Sequence, residues 1–364
     1  MRKKKKHERI PVWSLVLFGI ALLALILLIV AVISEGFANW YNATIGAFFR
    51  TVLAHLTSWI PFSLAEITLY CVPLIVVLIG IYAYRRRCDT WRSTLVFLGS
   101  IVSVFSLLFS LFVFGFGIGY QTSSLEEMLT LPKTEVTAQS LHDTAQILIL
   151  EVNALCDGIT YGEDGFSVMP YDREGMNEAL LVAYDPVCEA YPFIQRMNSR
   201  LKPVLASRAM SYTHITGAYT YFTGEANLNV HFPDYSLCYT AAHELAHQRG
   251  IARENEANFV AFLVCSGSSD TYLRYCGYLN LLEYVMNALY DADKDAYREL
   301  FLTVDERVVR EWRAFDDFFD AYRDSFISDV SGAVNDTYLK LNGNEAGTQS
   351  YGLVIELAVA YYAQ

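Results

Sequence analysis

Three long apolar runs near the amino terminus constrain this 364-residue chain more than any other feature. Residues 11–33 read PVWSLVLFGIALLALILLIVAVI, without one charged side chain. At about 1.5 Å of rise per residue, such a helix crosses a hydrocarbon core of roughly 30 Å. A second run, 64–84, is interrupted only by Glu66 near its start and Pro73 inside it, and a third, 94–118, carries no charge. A cleaved secretory leader begins in the same way, but its apolar stretch is typically about 7–15 residues and ends at a small-residue site. Glu35-Gly36-Phe37 offers no such site, so the first run reads as a signal anchor and the three runs as transmembrane α-helices.

Orientation follows from the basic residues. Arg2, Lys3, Lys4, Lys5, Lys6 and Arg9 precede the first run, Arg85, Arg86, Arg87 and Arg92 lie between the second and third, and segment 35–63 has only Arg50. Basic residues in short loops stay on the cytoplasmic side. The expectation is a multi-pass protein of the cell membrane with its N-terminus inside, the lipid bilayer as a partner, and everything after residue 119 extracytoplasmic. The charge divides likewise, +7 over residues 1–119 and −19 over the remainder, for a net −12. A domain at −19 repels phosphate backbones, which excludes nucleic acid as a partner. Glu66 is expected to be solvated at the outer boundary. Segment 40–56, with Ile45, Phe48, Phe49, Val52, Leu53 and Leu56 on one face, is expected to lie along the outer interface.

Residues 120–136 read as a spacer and 137–364 as one extracytoplasmic domain. Its periodicity is mainly helical, with helices predicted near 137–154, 174–190, 236–249, 253–266, 271–290, 294–301, 303–326 and 347–362. The last is too short to span and contains Glu356, so it is expected in the core. Strand signals are confined to 217–222 and 226–232. The domain is therefore mainly α-helical (α+β) with a small sheet. Cys156, Cys188, Cys238, Cys265 and Cys276 are odd in number and lack CxxC spacing. A Cys156–Cys188 disulfide and buried free thiols both remain open. Oligomeric state is not written in the pattern.

The chemistry gathers at His243-Glu244-Leu245-Ala246-His247, an HExxH motif in an apolar helical stretch. Histidines four apart lie on one helix face, so both imidazoles can reach one tetrahedral zinc. Glu244, beside them, is placed to take a proton from the attacking water rather than to bind the metal. A plain helix face with i,i+4 polar contacts is the alternative. A catalytic site needs a third protein ligand. Gly250 can end the first helix, and a second resumes through Glu254, Glu256 and Asn258. Glu254 and Asn258 share a face, offering a carboxylate to Zn2+ and an amide to orient a ligating histidine. Helix geometry favours Glu254 as ligand, with Glu256 as the alternative.

Glu254-Asn255-Glu256-Ala257-Asn258 resembles the ExxAD of neprilysin-like and CAAX-prenyl-type gluzincin peptidases, and more nearly the ExEANxFA of ImmA/IrrE-type metalloproteases. Only six residues separate His247 from Glu254, which is short for a gluzincin. The run from His247 to Arg253 also imitates the metzincin HxxGxxH, with Arg253 in place of the third histidine. Over the whole chain the sequence resembles a bacterial family known as domain-of-unknown-function family 3810. That resemblance rests on the three spans, Pro61-Phe62-Ser63-Leu64, Thr223-Gly224-Glu225-Ala226-Asn227, HELAHQRGIARENEANF, Arg274-Tyr275, Gly277-Tyr278 and Ser350-Tyr351-Gly352. It implies a zincin-like, zinc-peptidase-like domain without an established substrate.

Zincins usually bind a peptide as an added strand at a sheet edge. Residues 223–229 are a candidate edge, with Gly224 allowing close backbone approach and Glu225 and Asn227 along it; a hairpin with a capped turn is the alternative. Tyr275 is a candidate donor to the transition-state oxyanion, against the plainer reading of a core tyrosine. His214 and His231 are further candidates. The leading expectation is a membrane-anchored zinc endopeptidase acting on a peptide or protein outside the membrane. The alternatives are a non-catalytic zincin-fold sensor or binding module with a structural metal, and hydrolysis of a non-peptide amide such as one in cell-wall material.

Overall fold

The computed structural model describes residues 9–86, 90–323, 325–342 and 347–364; Arg2, Lys3, Lys4, Lys5, Lys6 and Arg87, which carry part of the orientation argument, lie outside them. The chain is mostly helical and divides into two compact units, Met1–Thr122 with Thr220–Gly224, and Ser123–Tyr219 with Glu225–Gln364.

In the first unit, α1 (Val12–Ile33), α4 (Leu64–Arg86) and α5 (Trp91–Gly115) are long and apolar enough to cross a membrane. The third begins and ends earlier than the hydropathy suggests. Thr90 and Ser93 cap each other's backbone N–H groups at its start, and beyond Gly115 the chain tightens into a 3-10 turn at Gly117–Gln121. Small buried side chains let α1 and α5 approach, and Ser103 Oγ donates to Ser14 Oγ at 3.1 Å. Segment 40–56 falls in α2 (Glu35–Tyr41), a π-helical turn (Asn42–Gly46) and α3 (Ala47–Ser58). Its one basic residue faces inward: Arg50 donates to Asn42 O and Asn42 Oδ1, both at 2.8 Å, and to Gly115 O at 3.1 Å. Glu66 also departs from expectation. It is buried, not solvated, because Tyr70 one turn later supplies the donor expected of water, at 2.7 Å.

The second unit is built around α10 (Asp234–Gln248) and α11 (Glu254–Ser266), buried along nearly their whole lengths. An apolar helix with polar positions limited to one site has no surface to show to water, so it sits in the middle. Around this pair pack α8 (Arg173–Ala190), α12 (Thr271–Ala292) and α16 (Val354–Tyr362), and α7 (Ala138–Leu155) packs on α12 and α16. The stretch read as a spacer contains α6 (Leu125–Met128), whose Leu125 is buried in the core of this unit. The helix expected over 303–326 is shorter, α14 (Glu306–Asp320), and a helix not expected from the sequence follows it, α15 (Phe326–Leu341), which starts at a Ser325 cap. Between α12 and α14 lies α13 (Lys294–Phe301), and α9 (Ser207–Ser211) lies between the first and second strands of the sheet. The sheet consists of β1 (Lys202–Pro203), β2 (Gly217–Thr220) and β3 (Glu225–Leu228) in the order β1-β3-β2, with β1 parallel to β3. Cys156 and Cys188 are both buried free thiols, as are Cys238, Cys265 and Cys276.

Candidate metal centre

The helix α10 carries His243 and His247 one turn apart, with Glu244 next to the first, and the chain then reverses. Gly250 takes φ +101°, the left-handed conformation that ends the helix, while the Ile251 N–H returns to Ala246 O at 3.1 Å. Glu254 opens α11 directly after the reversal. Its Oε2 lies 3.1 Å from His243 Nε2 and 3.2 Å from His247 Nε2. The three donor atoms fall within 4.8 Å of one another, and the two imidazole planes stand 87° apart. Exposure is 7% for His243, 5% for His247 and 8% for Glu254, so the cluster lies below the surface.

The outward nitrogens are also engaged. His247 Nδ1 pairs with Ile251 O at 2.7 Å and His243 Nδ1 with Asn258 Oδ1 at 2.8 Å. Oxygens of this kind only accept, so each Nδ1 carries a hydrogen, and Nε2 is the nitrogen turned toward Glu254. The Tyr239 hydroxyl donates to the Asn258 backbone carbonyl at 2.7 Å. Burial raises the pKa of nearby Tyr284 to about 12, with Asn258 pulling it down.

Charge is concentrated here. Burial works against the Glu254 carboxylate, but the two imidazoles outweigh it and hold its pKa well below the usual carboxylate range. Burial also works against the His247 imidazolium; Glu254, then Glu244 and the Ile251 carbonyl, outweigh it and raise its pKa to about 9. Glu244 differs. Burial pushes its pKa up to about 7 against the pull of both histidines. It is 4% exposed, and its Oε2 has no hydrogen-bond partner among the described residues. The Tyr219 backbone N–H, from β2, donates to the carboxylate.

Glu256 lies away from this cluster. It accepts from the Leu125 N–H at 2.9 Å and from Arg253 Nη1 at 2.8 Å, and so joins α6 to α11. The two-residue step from Glu254 turns it about 200° around the helix. Tyr275 is likewise not at the centre: its hydroxyl donates to Glu311, which also takes the Ser167 N–H at 2.8 Å. This is the core-tyrosine alternative. Tyr284, nine residues later and about half a turn around α12, is the tyrosine on the metal side. Sequence reasoning missed it, because α12 buries residues on most of its circumference and its pattern singles out no face.

The candidate substrate edge is also corrected. β3 is the central strand, paired with β1 on one side and β2 on the other, so Glu225 and Asn227 are buried within the sheet. Asn227 Nδ2 donates to Ala218 O at 3.0 Å. Gly224, at φ +70°, does permit close approach of a backbone, but that backbone belongs to α3: a β-carbon here would lie 2.9 Å from Ala54 N. The end strand of the sheet, beside Glu244, is β2. His214 and His231 meet the end of α14, where their Nε2 atoms pair with Tyr322 O at 2.7 Å and Tyr322 Oη at 2.8 Å.

No curated protein and no solved structure matches this chain. A family model does, over residues 41–359, and the chain belongs to that family, described as "Protein of unknown function (DUF3810)".

Proposed function

We propose that this protein is a membrane-anchored, zinc-dependent peptidase of zincin-like fold, with its N-terminus inside and residues 123–364 outside the cytoplasmic membrane. The observation that carries this reading is the convergence of Glu254 Oε2 on the Nε2 atoms of His243 and His247, at 3.1 and 3.2 Å. Two imidazole nitrogens and one carboxylate oxygen are the donors that hydrolytic zinc sites use, and hydrogen-bonded outward nitrogens are their usual support. The donor set therefore fits the ion. Zinc, when bound, supplies Lewis acidity, acidifying water and polarising a carbonyl. Glu244, with its pKa pushed up to about 7 by burial, takes the proton of the attacking water and passes it to the leaving amine nitrogen. Tyr219 aims that carboxylate from β2, which stands at the end of the strand order, the position where a sheet takes an extended peptide by backbone hydrogen bonds. The excess of basic residues before α1 and between α4 and α5 supports the orientation.

One observation favours a second reading, a non-catalytic module with a structural metal: every residue of the centre is less than a tenth exposed. Both readings meet the same experiment. Full-length protein and the Glu244→Gln variant, purified in detergent, are analysed for zinc and assayed on a quenched fluorescent peptide library. One zinc per chain in both, with hydrolysis in the wild type alone, is the expected result. Zinc in both with hydrolysis in neither selects the structural module, and a wild type without zinc rejects both readings.

A further inference from the structure

The helix α15 shows its apolar side outward. Its buried residues are Ser328 and Leu339, and on the opposite side Phe326, Ile327, Val330, Val334 and Leu341 are 48–82% exposed. At about 100° per residue these five fall within roughly 100° of the circumference, the width of the stripe that a helix of a globular protein normally buries. Such exposure matches the apolar spans, where Leu69 and Val76 of α4 are 68% and 61% exposed. Other exposed apolar residues of this unit, such as Leu150, Val182, Leu205 and Leu302, lie at separate places in the chain. Single ones are ordinary on any surface, whereas a continuous stripe marks a site of association.

We propose that α15 lies in the plane of a bilayer surface, with Phe326, Ile327, Val330, Val334 and Leu341 immersed where headgroups meet acyl chains. This rests on the reading of α1, α4 and α5 as spans and is independent of the metal centre. Three helices of the same chain are long and apolar enough to cross a membrane, so a bilayer is the apolar phase at hand. Packing within the second unit leads the same way. There α15 packs on the 3-10 turn Gly347–Leu353, which runs straight into α16. Leu357 and Ala360 of α16 share a cavity with Leu125 of α6, the first α-helix after the third span. A chain of contacts thus joins α15 to the place where the polypeptide arrives from that span.

The charges define the kind of surface. The helix carries Asp329, Asp336 and Lys340, and Lys340 is held by Asp336 at 2.7 Å. No basic surplus draws it to anionic lipid, so burial of the apolar stripe is what holds it and an uncharged lipid suffices. A second copy of the chain is the rival occupant. Five side chains at roughly 100 Å2 each fall short of the about 800 Å2 per partner that a stable interface buries.

The test is photocrosslinking of the full-length protein reconstituted in phosphatidylcholine vesicles. A benzophenone amino acid replaces Val330 or Val334 on the stripe, or Asp329 off it, and adducts are read by mass spectrometry. All three positions are exposed, so the probe leaves the fold intact. Lipid adducts at 330 and 334 are expected to exceed those at 329 at least about fivefold, since only the apolar face of an interfacial helix is immersed. Equal yields at the three positions would mean casual collision with lipid and overturn the proposal. Crosslinks between two copies at 334 would make a second chain the occupant, and crosslinks within one chain alone would show the stripe covered by its own protein; either overturns it. Protein recovered outside the vesicles rejects the reading of the spans along with it.

Discussion

Gly217 lies so close to Glu244 that a β-carbon on it would come within 2.5 Å of Oε1 and 2.6 Å of Cγ. The edge strand is thus pressed against the carboxylate assigned the proton transfers, and any side chain at 217 must push it aside. Gly217→Ala is expected to reduce hydrolysis about 10- to 100-fold, since a displacement of about 1 Å at a general base has that order of effect. Zinc content should stay at the wild-type level, because the β-carbon meets Glu244 and not His243, His247 or Glu254. Loss of zinc together with activity would show that the strand supports the whole centre.

The two neighbouring glutamates of α11 should separate cleanly. Glu254→Ala removes a donor and is expected to abolish stoichiometric zinc. Glu256→Ala leaves the donors in place but strips Arg253 and the Leu125 N–H of a buried partner, at a cost of roughly 2–4 kcal/mol. Zinc analysis beside thermal unfolding distinguishes them. The reverse pattern would move the site to Glu256.

Much of this centre is legible in the residues, and the reason is local geometry. Spacings of four put His243 with His247 and Glu254 with Asn258, and Gly250 marks the reversal, all within one stretch of chain. What the pattern leaves open depends on rotation and strand order. The helix α12 buries side chains on most of its circumference, from Tyr272 and Tyr275 to Leu282 and Met286, so its periodicity does not say which face meets α10. β3 is buried at all four positions, without the alternation that distinguishes an edge from a centre. The break after α14 has no glycine or proline at its tip, only the Ser325 cap, and the apolar rhythm continues through Tyr322 across it.

Tyr275 is expected to matter for stability and not for hydrolysis. Its hydroxyl donates to Glu311, whose pKa burial raises while Ser167 and Tyr275 pull it down. Tyr275→Phe removes a hydrogen bond to a buried acid, at about 1.5–3 kcal/mol. For a domain of this size that is a fall of several degrees in thermal midpoint. Turnover and zinc content at a temperature below the transition should match wild type. A hundredfold loss of turnover in a folded, zinc-loaded Tyr275→Phe protein would instead restore the oxyanion role considered for it.

Zinc must displace the proton that His247 holds. In the metal-free chain burial opposes that proton, but the Glu254 carboxylate 3.2 Å away and the Ile251 carbonyl outweigh it, so the ring stays protonated up to about pH 9. A raised pKa makes the proton a stronger competitor at every pH below it. Apparent zinc affinity should therefore climb about tenfold per unit from pH 7 to about 9 and level off above. Near pH 7.5 close to one proton should leave His247 for each zinc bound, measured by calorimetry in two buffers of different ionisation enthalpy. Glu254 adds no slope in this window, because its pKa lies well below the usual carboxylate range and it is ionised throughout. An affinity flat between pH 7 and 9 would show that the carboxylate does not hold the ring protonated, and that the two side chains are farther apart in solution than 3.2 Å.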